Sequence, residues 1–314
     1  VYGGLQDNGV WAGPNNYEHN VEWVQDGKYP YEFLSGGDGM QVQIDTRTNN
    51  LVYTGYQFGN YTKIDRISGE RKYITPQADK KEEPYRFNWQ APILLSSHNQ
   101  DVVYFGGQYV FRSMNQGKNW EKISNDLTNG KVEGNVPFGT ITSIAESKFK
   151  FGKLVVGTDD GNVYVTKDSG ENWIKISTNL PQGLWVSRVR FSVFKSDRIY
   201  ITLNGYRNDN FESYAYVSED FGATWTSISN GLTEAVNVIV EDSANENILY
   251  VGTDNGLFIS LDKGATWQDF SNGMPKVAVH DAVIQTKAKE LIVGTHGRSI
   301  YKMDISKVQE LTKE

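Results

Sequence analysis

An all-β fold, a β-propeller of four-stranded antiparallel blades, about six to seven in number with incomplete terminal ones, is what the sequence predicts. Three observations carry it. A strand–turn–strand pattern recurs seven times, an eight-residue turn pattern recurs four times, and the composition suits many short strands joined by tight reversals. Fixed-period self-similarity of this kind is the signature of a repeat architecture.

The seven echoes run along the whole chain: VYGGLQDNGVW from Val1, LVYTGYQFGNYTKID from Leu51, VVYFGGQYVFRS from Val102, LVVGTDDGNVYVT from Leu154, IYITLNGYRND from Ile199, LYVGTDNGLFIS from Leu249 and LIVGTHGRSIYKMD from Leu291. Each pairs an apolar run with a polar, glycine-bearing turn and a second alternating run, which reads as a hairpin. Residues 139–177 spell out one full unit, with TITSIAES as inner strand A, KLVVGTD as B, NVYVTKD as C and WIKIS as outer strand D. Counting outward from the echoes places B, C and D before residue 30, five complete blades between about 38 and 270, and A, B and C from 278 to 305. Residues 1–305 are thus expected to be propeller, and SKVQELTKE at 306–314 a short helical tail or linker. The first unit lacks its inner strand. An orphan B strand exposes a sheet edge, so either a preceding segment of a longer polypeptide supplies that strand or the partial units share strands.

The turn pattern places Ser or Thr, Asp or Asn, Gly and Trp at positions 1, 3, 5 and 8. It comprises Ser113, Asn115, Gly117 and Trp120; Thr166, Asp168, Gly170 and Trp173; Ser218, Asp220, Gly222 and Trp225; and Ser260, Asp262, Gly264 and Trp267. All four copies fall between strands C and D. There the carboxylate or amide can accept backbone N–H groups, the glycine supplies a positive φ, and the tryptophan is expected to be mostly buried as a wedge between blades. Asn115 in one copy suits turn capping and not charge-dependent chemistry. The pattern is that of the Asp-box, or BNR repeat, and resembles sialidases, xyloglucanases and sortilin-type receptors. Beyond it, YGGLQDNGVWAGP, SGGDGMQVQID, RFNWQAPILLS and VGTHGRSIY are similar to large bacterial exported proteins labelled sortilin-like or glycosyl hydrolase. The resemblance implies a secreted or cell-surface protein.

Composition narrows the rest. Aromatic content of 13% with 31 glycines fits short strands and tight turns, while zero cysteines exclude disulfides and thiolate metal sites. A net charge of −7 without Lys/Arg runs argues against nucleic acid as a partner. No apolar run is long enough to span a membrane.

Chemistry is expected on the D–A and B–C loops, opposite the turn patterns, because scaffolds present sites on their less repetitive loops. The D–A connections bring Asp38, Arg86, Asn88, Trp89, Trp185, Arg188, His280 and Asp281. The B–C loops bring Asp7, Tyr56, Asp159, Asp160, Asp254, His296 and Arg298, and the long insertion LNGYRNDNFESY adds Tyr206 and Arg207. Carboxylates among Trp and Tyr are the inventory of a carbohydrate cleft. Asp38, set between glycines, is the candidate catalytic carboxylate, although Asp in such turns also serves as a turn former. His280, His296 and Asp281 lack metal-ligand spacing, and no cofactor motif appears. The Phe/Tyr-Arg-Ile-Pro segment expected of a sialidase is absent, the nearest string being DRIS at Asp65. Two functions remain. One is a non-catalytic module binding glycan or extracellular protein, alongside the rest of its own polypeptide or a second propeller. The other is a xyloglucanase-like glycoside hydrolase. The first is favoured because no carboxylate pair stands out.

Overall fold

The computed structural model describes residues 1–18 and 20–311; 312–314, the end of the expected tail, lie outside it. The fold is a β-propeller of seven antiparallel sheets with almost no helix. The chain divides into two compact units, Val1–Lys122 with Lys131–Thr140, and Ile123–Gly130 with Ile141–Glu314.

The first unit holds three sheets. Strands β1 (Tyr2–Leu5), β2 (Gly9–Ala12) and β3 (Glu32–Ser35) form a three-stranded sheet. Strands β4 (Gln43–Ile44), β5 (Leu51–Tyr56), β6 (Asn60–Asp65) and β7 (Arg71–Tyr73) form a four-stranded meander. So do β8 (Ile93–Leu95), β9 (Val103–Gly106), β10 (Val110–Ser113) and β11 (Glu121–Lys122). The outer strand of the first sheet therefore begins at Glu32, not before residue 30 as the sequence suggested. The intervening segment makes one helical turn, α1 (Glu22–Gln25), and gathers rings against each other, with Trp11, Tyr17, Trp23, Tyr29, Tyr31 and Phe33 in edge or tilted contacts. Ring packing there replaces strand pairing.

Among the described residues, β1 pairs only with β2, and its other side is met by the loop at Gly37–Met40. The Gly39 N–H donates to the Leu5 carbonyl at 3.0 Å, and the Gly9 N–H to the Gly37 carbonyl at 3.0 Å. A Cβ on Gly4 would sit 2.1 Å from the Met40 carbonyl oxygen, and one on Gly39 would sit 2.2 Å from that of Gly9. The glycines of YGGLQDNG and SGGDGM thus allow two backbones to touch.

The second unit holds four sheets. They are β12 (Ile141–Glu146), β13 (Leu154–Thr158), β14 (Val163–Thr166) and β15 (Ile174–Lys175); β16 (Trp185–Phe191), β17 (Ile199–Gly205), β18 (Asn210–Ser218) and β19 (Thr226–Ser227); β20 (Val236–Glu241), β21 (Leu249–Thr253), β22 (Gly256–Ser260) and β23 (Gln268–Asp269); and the three-stranded β24 (Val279–Gln285), β25 (Glu290–Thr295) and β26 (Ile300–Asp304). Each apolar core lies between consecutive sheets. Val155 and Val165 pack with Val186, Val189 and Ile201, and Val238 and Tyr250 pack with Val279, Ala282 and Val293. Strands β13, β17 and β21 are buried along their whole length, which is why they read as unbroken apolar runs. The helix α2 (Ser306–Glu310) is anchored by the buried Gln309, whose amide donates to both carboxylate oxygens of Asp242 at 3.0 and 2.9 Å.

The four turn patterns share one geometry. The residue-1 hydroxyl donates to the residue-3 side chain at 2.7–3.0 Å and accepts the glycine N–H at 2.7–3.1 Å. Residue 3 accepts the N–H of residue 7 at 2.9 Å in every copy. Two successive residues take positive φ: the glycine and the one before it, Gln116, Ser169, Phe221 or Lys263, at φ of 60° to 63°. The indole N–H groups of Trp120, Trp173, Trp225 and Trp267 donate to the carbonyls of Ile74, Ile123, Ile176 and Ile228 at 2.6–2.8 Å. Each of those isoleucines directly follows an outer strand. The rings are half-buried and not mostly buried, because reaching an edge carbonyl holds them at the margin of the sheet.

Candidate functional site

The candidate residues in the first unit serve its loops. The Asp38 carboxylate is buried and accepts the Asp7 N–H at 2.9 Å, while its own N–H donates to Gln57 Oε1 at 3.1 Å. Asp7 is exposed and left-handed, with φ 61°. Asp38 thus pins a strained turn to the glycine loop. Tyr56 is exposed at the end of β5. Asn88 is buried, donating to Thr140 Oγ1 at 2.9 Å and accepting the Gln90 N–H at 3.0 Å. Arg86 Nε donates to the Gly139 carbonyl at 3.2 Å. Trp89 is open to solvent and packs edge-on against Phe58.

The second unit brings its candidates together. Each inner strand carries a bulge at the same register, between Ile141 and Ser143, Val186 and Arg188, Val236 and Val238, and Val279 and Asp281. A bulge re-aims the extra residue, here Thr142, Ser187, Asn237 and His280. Thr142 and Ser187 donate to the carbonyls of Val186 and Val236 on the following sheet at 2.6 and 2.7 Å. Asn237 instead joins a polar relay: Asn204 Nδ2 donates to Asn237 Oδ1, and Asn237 Nδ2 donates to Asp254 Oδ1, both at 2.8 Å. His280 meets His296 edge to face, with ring centroids 5.3 Å apart. Shielding by surrounding protein, and then His296, push the His280 pKa down. Arg298 is exposed on the adjoining turn.

Arg188 on β16 reaches Asp281 on β24, donating at 2.9 Å to its carboxylate and at 3.3 Å to the His280 carbonyl. On the same sheet, the Arg207 guanidinium lies 4.0 Å from the Trp185 ring centroid and 4.8 Å from that of Tyr206. Tyr206 opens the short 3₁₀ turn Tyr206–Asn208 and is exposed, and Trp185 is half-buried. Beyond the turn, Asp209, Phe211, Glu212 and Leu232 line an open cleft of about 610 Å³. Asp160 accepts the Asn129 N–H at 2.6 Å and the Thr158 hydroxyl, so its carboxylate closes a turn, with Asp159 half-buried beside it. Among the described residues no group of three or more His, Asp and Glu side chains is placed to hold a metal ion. Likewise, none of their helices is long and apolar enough to cross a membrane.

Sequence reading missed Arg190, Asn204 and Asn237. Arg190 sits two residues beyond Arg188 on an alternating strand, a signal present in WVSRVRF. Asn204 lay in the long insertion without being singled out, and only the bulge shows that Asn237 turns toward the loops.

Residues 108–235 match the profile of the Sortilin-Vps10 family, described as Sortilin, neurotensin receptor 3. No curated protein matches the sequence at a significant level. Among solved structures, the GH74 xyloglucanase from Xanthomonas campestris aligns with a TM-score of 0.65 at 14% identity, over 96% of this chain and 50% of that one. An extracellular domain of a one component system from B. thetaiotaomicron aligns with a TM-score of 0.61 at 16% identity, over 96% of this chain and 38% of that one. A computationally designed protein aligns with a TM-score of 0.58 at 14% identity, over 97% of this chain and 80% of that one. This chain thus spans half or less of the length of the two natural proteins. At such identities the likeness is one of fold. The chain is a seven-bladed β-propeller with a sortilin-like stretch at residues 108–235.

Proposed function

We propose that this chain is a non-catalytic ligand-binding propeller module of an exported or cell-surface protein. Its second unit presents the binding loops, and its ligand is a glycan or an extracellular protein. The observation that carries this reading is the stack in which Arg207 of the longest B–C loop meets both the exposed Tyr206 of the same loop and the half-buried Trp185 at the start of β16. Such a surface offers apolar faces and donors at once, as recognition sites do.

The carboxylates nearby are already engaged. Asp281 accepts from Arg188, Asp254 from Asn237 and Asp160 from a backbone N–H. A glycosidase acid must instead be held protonated, and its partner must face the sugar across a gap. The relation to secreted enzymes and extracellular sensor domains is one of fold, which is compatible with an exported module and does not transfer their activities.

The test is a glycan array and an extracellular-protein binding screen with the chain, repeated with Tyr206→Ala. Saturable binding weakened roughly tenfold or more by the substitution, without turnover, supports the module. Hydrolysis of xyloglucan by the chain, lost in Asp254→Asn or Asp281→Asn, would replace this reading with a hydrolase.

A further inference from the structure

Arg188 and Arg190 lie two residues apart on β16, so their side chains leave the same face of the strand. Val189 and Phe191, on the other face, are committed to the apolar core against the preceding sheet. The two guanidinium groups share one carboxylate, Asp281, and the Arg188 head already holds it at 2.9 Å.

The register of the inner strands shows what stands at the level of Arg190. Arg190 pairs with Tyr200, and the matching positions of the other three sheets, pairing with Val155, Tyr250 and Ile292, are Ala145, Val240 and Val283. Those three are apolar. One level up, the positions matching Arg188 are Ser143, Val238 and Asp281. Within the second unit, Asp281 is thus the acid that these levels supply for two cations. Moreover, the Nε atoms of both arginines are buried with no hydrogen-bond partner among the described residues. A buried donor left unmade costs about 1–3 kcal/mol, and more for a charged group. Burial, and then Arg188, draw the Arg190 pKa down to about 10, the response of a cation lacking its counter-ion.

We propose that Arg190, with the free edge of Arg188, forms a binding site for a compact oxyanion of carboxylate, sulfate or phosphate type on the inner strands of the second unit. The planar guanidinium fork is suited to two-point contact with such groups, and the buried, unpaired Nε atoms leave donors for it to fill. The site stands independently of the ligand bound by the loops, since none of its groups belongs to the Trp185, Arg207 and Tyr206 stack.

The experiment is calorimetric titration and thermal melting of the whole chain in sulfate, phosphate and acetate, against chloride at matched ionic strength. A saturable rise in Tm with at least one oxyanion is expected, following mass action on the folded state. Arg190→Leu should abolish that rise without lowering the anion-free Tm, because it removes a cation whose Nε is buried and unpaired. Arg190→Lys, which keeps the charge and loses the fork, should weaken binding roughly tenfold and covers the case in which the leucine variant does not fold. Asp281→Asn frees Arg188 and should tighten binding several-fold. Indistinguishable oxyanion and chloride curves for the parent chain, or an equal oxyanion effect in the Arg190 variants, would overturn the proposal.

Discussion

The two ends of strand C in each complete blade of the second unit follow different rules. At one end, the turns after β14, β18 and β22 repeat a single set of contacts nearly atom for atom: hydroxyl to carboxylate, glycine N–H to hydroxyl, and indole N–H to an isoleucine carbonyl. At the other end, the loops before the same strands share almost nothing. The β13–β14 loop is closed by Asp160 and the β17–β18 loop carries a cation between two aromatic rings, while at the β21–β22 loop Asp254 takes an amide from Asn237. Both ends cap hairpins of similar strands, so turn closure alone does not require such variety. The invariant end ties each sheet to the chain segment before it. The variable end is free of that duty and can hold a binding surface.

The largest effect that would sharpen this contrast is at the invariant end. Trp225→Ala removes a half-buried ring packed on the core and its hydrogen bond to Ile176, and should cost about 3 kcal/mol. An unchanged melting temperature would break the comparison. Gly222→Ala comes next: the site has φ 88°, and an added Cβ would meet Ile176 Cδ1 at 2.4 Å, so a loss of about 1–3 kcal/mol is expected by denaturant unfolding.

At the variable end, Arg207→Ala should cost only about 0.5–1 kcal/mol, the value of an exposed cation–π contact, while changing the fluorescence of Trp185 as its ring face opens. A loss as large as that of Trp225→Ala would make this loop structural.

The smallest effect is pH-dependent. Donation from the Thr224 hydroxyl and N–H, and then from Ser218, holds the Asp220 pKa at about 2. A depressed carboxylate adds stability above its unfolded-state pKa of roughly 4, and that stability fades as pH falls toward the folded value. Melting curves of Asp220→Asn should therefore lie below those of the parent at neutral pH and converge toward them as pH falls toward 2, since the amide has no charge to lose. Identical acid profiles would show that its ionisation is irrelevant to the turn.

Reading the sequence located the five complete sheets and both partial ones because strand periodicity and turn residues are local properties. It placed the first outer strand too early, since the alternative to pairing, a ring cluster from Trp11 to Phe33, depends on which aromatics meet in space. Asp38 looked available between its glycines. The glycines are there because backbone at Gly4 and Gly9 presses against that loop, and the carboxylate points into the same contact.

By itself, then, the sequence determined the repeat, the meander order within each sheet and the chemistry of the four turns, all set by interactions a few residues long. Which candidates share a surface was decided only by tertiary structure. Arg188 meets Asp281 across 93 residues of chain, and Asn204 meets Asn237 across 33. The bulge that aims Asn237 and His280, and the reach of Arg188 to Asp281, follow from how the sheets of the second unit pack side by side. No local pattern encodes that packing, because its energy resides in contacts between segments distant in sequence.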